Sequence, residues 1–279
     1  MTISLTTFEE QIRQAILDVI YAQWRDLGCP LVSALPTSCE VIDPEALLWC
    51  SLEFLPTEPR LREATESWLI EHRPSLLTQR LNRAGTADDP RRPRWRTLRD
   101  QSHEGSVGRV GRDESNWSAS KPIGRRVAGP STSLLAARDL LGSDVRHFLL
   151  ILLLASPGGA RLKDVQRFSG HTYRAISTAA RAWEAAEAVT IDHGFCRLIQ
   201  PAPWQALLPA AHAPLIVVDW FGAFEACTQI LRDMSQARKT GISTESPVVQ
   251  AKVSQWRAAV AGAQIAGERG STTMKHLAG

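Results

Sequence analysis

At 279 residues, with a hydrophobic share of 44%, the chain is long enough for about two domains with real cores, which excludes a wholly disordered protein. A formal charge of only +3 excludes a molecule that is basic throughout, so a polyanionic partner would have to meet one region of it. The five cysteines, at 29, 39, 50, 196 and 227, form no C-x-x-C pair, which speaks against a metal site or disulfide framework and for a reducing compartment.

Charge is unevenly spread. Residues 1 to 84 carry 7 Lys and Arg against 12 Asp and Glu, whereas residues 85 to 130 carry 10 against 6, and the remainder stays slightly positive. Nucleic-acid binding is thereby permitted in the second half. The most apolar run, Phe148 to Ala155, is too short to span a bilayer, and the N-terminus has no basic stretch followed by an apolar one. The expectation is a cytoplasmic protein with no membrane partner.

In chain order, Thr7-Phe8-Glu9-Glu10 fits a capping box, and Phe8, Ile12, Ile16, Val19 and Ile20 follow helical spacing up to a stop at Gly28. Asp43 and Pro44 announce a second helix through Leu47, Leu48, Leu52 and Phe54. A third is expected from Glu58 to His72 and a fourth from Ser75 to Ala84, so residues 1 to 84 read as an N-terminal helical domain. From Gly85 to Ser133 the chain is rich in Arg, Gly, Ser, Asp and Pro. Residues 85–133 therefore read as a basic linker, with Arg91, Arg92, Arg94, Arg96 and Arg99 either solvated or ordering on a partner.

Strong patterning returns at 134–200. Val145, Phe148, Leu149, Leu152 and Leu153 give a helix ended by Ser156-Pro157-Gly158-Gly159, and Leu162, Val165 and Phe168 give a short second one before Ser169-Gly170-His171. Thr172 then caps a third helix with Ile176, Ala180 and Trp183 on its core side. Its other side offers Tyr173, Arg174, Ser177, Thr178 and Arg181, donors and acceptors long enough to meet base edges and phosphates. Val189 to Asp192 and Phe195 to Gln200, joined by His193-Gly194, read as a β-hairpin on which Arg197 is the phosphate contact. A generic helical pair followed by a hairpin would show the same apolar spacing. Beyond residue 200, helices are expected from about Asp219 to Met234 and from Ser246 to Ala261, with frayed residues from Gly262; the region 201–279 is the candidate for dimerisation or partner binding.

The stretch Leu154 to Gln200, LASPGGARLKDVQRFSGHTYRAISTAARAWEAAEAVTIDHGFCRLIQ, resembles the winged helix-turn-helix of MarR- and ArsR-type transcriptional regulators. It departs from them at Glu187, where winged helices commonly carry glycine. Residues Ile42 to Leu69 also resemble the helical leader of AbiEi-like antitoxins encoded beside nucleotidyltransferases. These likenesses imply a mainly α fold, with an N-terminal helical bundle, a winged helix-turn-helix bearing a small β-hairpin, and C-terminal helices. They imply a homodimer on double-stranded DNA, with Thr172, Tyr173, Arg174, Ser177, Thr178, Arg181, His193 and Arg197 as contacts, and a nucleotidyltransferase-type partner protein. The rival reading is an adaptor or antitoxin whose acidic helical leader and C-terminal helices grip a partner enzyme. No cofactor or metal is expected, and the absence of Walker, nucleophile-elbow and H-E-x-x-H motifs argues against an enzyme.

Overall fold

The structure, a computed structural model, describes residues 4–37, 39–107, 129–142, 144–208, 214–267 and 272–278. It is mainly helical, with a small antiparallel sheet. No described helix is long and apolar enough to cross a membrane.

Helix α1 (Leu5–Asp26) starts three residues earlier than its sequence signature suggests, because Ser4 rather than Thr7 is the cap: the Thr7 amide donates to Ser4 Oγ at 3.1 Å. Helix α2 (Pro44–Phe54) is capped by Asp43, whose carboxylate accepts from the amides of Glu45 and Ala46. It is apolar almost all round and accordingly buried on nearly every side. Helix α3 (Pro59–His72) and the short α4 (Thr78–Arg83) complete the leader. Trp24, Trp49, Trp68 and Phe54 fill its core, and Trp24 meets Trp68 edge to face at 5.3 Å.

The expected linker is corrected in its first half. Arg91–Val107 form helix α5, in which Trp95 and Leu98 are buried in the same core as α1 and α2. Arg91 is wholly buried, pairing with Asp89 at 2.6 Å and Glu225 at 2.7 Å and lying over the Trp49 ring. Arg92 and Arg94 bond backbone carbonyls, of Thr86, Asn82 and Gly85 and of Leu52 respectively. These arginines bind their own fold. Residues 108–128 of the expected linker lie outside the described residues.

The C-terminal stretch is corrected as well. Helices α11 (Trp220–Lys239), α12 (Pro247–Ala261) and α13 (Thr272–Ala278) close the leader's core: Trp220, Phe224, Cys227, Val260 and Leu277 are buried among the side chains of α1 and α2. The residues after Gly262, expected to fray, instead form strand β5 (Gln264–Ala266) paired antiparallel with β4 (Val217–Val218).

A second core gathers α6 (Ser133–Leu141), the central and almost wholly buried α7 (Val145–Ala155), α8 (Leu162–Ser169) and α9 (Tyr173–Ala185). Strands β1 (Ala160–Arg161), β2 (Val189–Asp192) and β3 (Phe195–Leu198) form an antiparallel sheet in the order β1-β3-β2. A short helix α10 (Pro201–Leu207) follows. The two cores meet at buried ion pairs: Glu45 on α2 receives Arg138 of α6 at 2.7 Å and Arg80 of α4 at 3.0 Å. Arg80 also donates to Asp43 and to the Phe168 carbonyl at the end of α8, its guanidinium lying over the Phe148 and Phe221 rings.

Candidate nucleic-acid interface

Helix α8 ends where Gly170 adopts φ +69°, and the chain turns through His171 into α9. Thr172 caps α9 as expected, its hydroxyl accepting from the Ala175 amide at 3.3 Å. Ile176 and Ala180 are buried against α7 and α8. Trp183 is only half-buried, which corrects the expectation of a core residue: it stacks on Trp204 of α10 with ring centroids 5.4 Å apart and planes 15° from parallel. Helical spacing places Trp183 on the inner face, and it does pack at the edge of the second core, where the Trp204 ring of α10 lies over it.

Arg174, Thr178 and Arg181, at spacings of four and three, share the solvent stripe opposite Ile176 and Ala180, and all three are exposed. Ser177 is half-buried on the flank. Tyr173, 43% exposed, leans towards the hairpin, so that a side chain at Gly194 would begin 3.5 Å from its hydroxyl. The hairpin tip therefore sits beside the first turn of α9.

That tip is a two-residue turn with positive φ at both central positions, 45° at His193 and 79° at Gly194, the type I′ pattern that matches strand twist. His193 is exposed and bonds the neighbouring Asp192 carboxylate. On β3, Cys196 and Leu198 point into the core while Phe195 and Arg197 point out. Glu187, between α9 and β2, adopts φ +56°, the left-handed conformation that glycine adopts without strain. The Glu184 carboxylate accepts from the Ile191 amide at 3.1 Å and ties the end of α9 to β2.

Sequence reasoning missed Arg146. It lies in the first turn of α7, where it pairs with the cap residue Asp144, and both line a groove of about 540 Å³ with Arg174 and Thr178. A lone arginine after Ser143-Asp144 at the head of an apolar helix was the available signal. The Asp144 carboxylate in this groove opposes phosphate, and Arg146 offsets it. Among the described residues, no group of three or more His, Cys, Asp or Glu could hold a metal ion.

Compared with protein-family models, with curated proteins and with solved structures, the chain finds no match.

Proposed function

We propose that the protein is a sequence-specific DNA-binding transcriptional regulator, and that α7 to β3 act as a winged helix-turn-helix. The element order helix, strand, helix, helix, hairpin and the β1-β3-β2 sheet support this reading. The observation that carries it is the exposed stripe Arg174, Thr178 and Arg181 on α9, flanked by a hairpin whose tip reaches Tyr173 and whose outer face bears Arg197.

In this reading α9 enters the major groove. Arg174 and Arg181 meet base edges, where arginine pairs best with guanine, and Tyr173, Ser177 and Thr178 add shorter contacts. Thr172 presents the helix end to the backbone, while His193 and Arg197 hold the phosphates from the wing. Two copies on a palindromic site would follow the usual geometry of such modules. Arg161 and Lys163, exposed at the head of α8, add positive charge on the same subdomain.

The test is a titration of the full chain against duplex DNA from its own upstream region at two salt concentrations. The reading requires binding that weakens with salt and is tighter than for a scrambled duplex of equal length. Equal affinity for both duplexes would remove the sequence-specific function, and no affinity for either would remove DNA binding altogether.

A further inference from the structure

Among the described residues, Tyr173 and Phe195 are the aromatic rings that stand exposed, at 43% and 42%; the other phenylalanines, tyrosines and tryptophans are buried or half-buried. They come from different elements, the first turn of α9 and the start of β3, yet both lie at the hairpin tip. Apolar residues scattered singly over a surface need no explanation, whereas two rings gathered at one spot mark a contact surface.

The fold holds Phe195 in place. Strand β3 is central, and its alternation puts the Phe195 ring on the outer face of the sheet, with Arg161 of β1 opposite on one side and Asp192 of β2 on the other. The ring lies against Gly159 in the turn before β1, where a side chain would begin 2.5 Å from it. Glycine is what leaves room for it. The Leu162 amide donates to the Gly194 carbonyl at 2.9 Å and fastens the end of β1 to the tip.

Phe195 has no donor or acceptor, so it can neither hydrogen-bond a base edge nor hold a phosphate. It offers an aromatic face, and bases inside a closed duplex have their own faces covered by their neighbours. Arg197, two residues along β3, shares the outer face, and Arg161 and Lys163 are exposed beside it. None of these three cations enters an ion pair among the described residues. Of the acids nearby, Asp192 pairs with His193 and Asp164 is half-buried on α8. An aromatic ring with free cations on either side suits a stacked base and the phosphates that flank it.

We propose that the outer face of this sheet binds an unpaired DNA strand, with a base stacked on Phe195 and the adjoining phosphates on Arg161 and Arg197. The strand is DNA opened beside the duplex that α9 meets, and in that identification the proposal rests on the duplex reading. Stacking itself does not depend on it, because the strand meets the sheet and its binding is measured without duplex.

The experiment is a fluorescence-anisotropy titration of the full chain with a twelve-nucleotide oligothymidylate, with a strand of twelve abasic nucleotides that keeps the phosphates, and with the blunt upstream duplex. The oligothymidylate should bind at least about tenfold more tightly than the abasic strand, the worth of one stacked base. Phe195→Ala should bring it down to the abasic level and leave the duplex unchanged, while Phe195→Trp should keep the difference. Val248→Ala, at an exposed apolar residue of α12, should alter neither. Equal affinity for the oligothymidylate and the abasic strand, or a Phe195→Ala variant that keeps the difference, would overturn the proposal. So would an equal loss on oligothymidylate and duplex, which would make the ring a duplex contact. Each of these outcomes leaves wild-type duplex binding, and with it the DNA reading, standing.

Discussion

Arg138 grips Glu45 through both of its terminal nitrogens, at 2.7 and 3.1 Å, with neither side chain exposed to solvent. The pair links α6 in the second core to α2 in the first, and Arg138 also bonds the Ser75 carbonyl. Burial pushes the Glu45 pKa up, but Arg138 and then Arg80 outweigh it and hold the carboxyl down at about 2. Removing one partner leaves a buried charge without its match. Arg138→Ala should therefore cost about 3 to 5 kcal/mol in a urea melt, and the Glu45→Ala, Arg138→Ala double variant should lose less than the sum of the singles. Additive losses would show that the two residues act separately.

Acid stability should report His147. Burial, and after it Arg138, lowers the His147 pKa to about 2; its ring accepts from Arg138 Nε at 3.4 Å and meets the Gly142 carbonyl. The folded value lies below the unfolded one, so the stability is complete above about pH 6.5 and is lost as pH falls, because the unfolded chain takes up the proton first. The slope should be about 1.4 kcal/mol per pH unit below 6.5, with Glu45 adding a second loss only below about 4.5. His147→Gln should reduce the slope in the window between those two values, and the remaining loss there belongs to His171, whose pKa burial also lowers. A wild-type curve level from pH 7 to pH 5 would contradict this.

Trp183 and Trp204 should be coupled. A half-buried Trp loses less than a core one, so Trp183→Ala should cost about 2 kcal/mol rather than the full core penalty. A double-mutant cycle with Trp204→Ala should return about 1 kcal/mol of coupling, the usual worth of a stacked pair. Zero coupling would mean that the two rings do not stack in solution.

Glu187 should be improvable. A non-glycine residue at φ +56° carries strain, partly offset by the extra freedom glycine gains when unfolded. Glu187→Gly should raise stability by about 0.5 to 1 kcal/mol by chemical denaturation. A loss of similar size would show that the glutamate side chain contributes more than the backbone strain costs.

The helices with caps and continuous apolar spacing were readable in advance. Asp43-Pro44 announced α2, Thr172 announced α9, and His193-Gly194 announced the hairpin, because each is a local rule with a local cause. Helix α5 was hidden because its stabilisation is distant: Arg91 is held by Glu225 on α11, and Arg94 by the Leu52 carbonyl, so a run of arginines that looks solvated in sequence is a set of internal anchors. Strand β5 was hidden for the same reason, since its partner β4 lies more than forty residues earlier. At the candidate interface, Arg174, Thr178 and Arg181 were legible from helical spacing, whereas Arg146 joins them only through the packing of α7 against α9.

The central claim, that α9 and the hairpin meet DNA, is tested most directly by measuring Arg174→Ala and Arg197→Ala on the upstream duplex and on a scrambled one across a salt series. Arg174→Ala should weaken binding to the upstream duplex by about 1 to 3 kcal/mol and change the scrambled one far less, as expected for a base contact. Arg197→Ala should weaken both duplexes alike and lower the salt slope by about one, as expected for a phosphate contact. Wild-type affinity and salt slope in both variants would contradict the account.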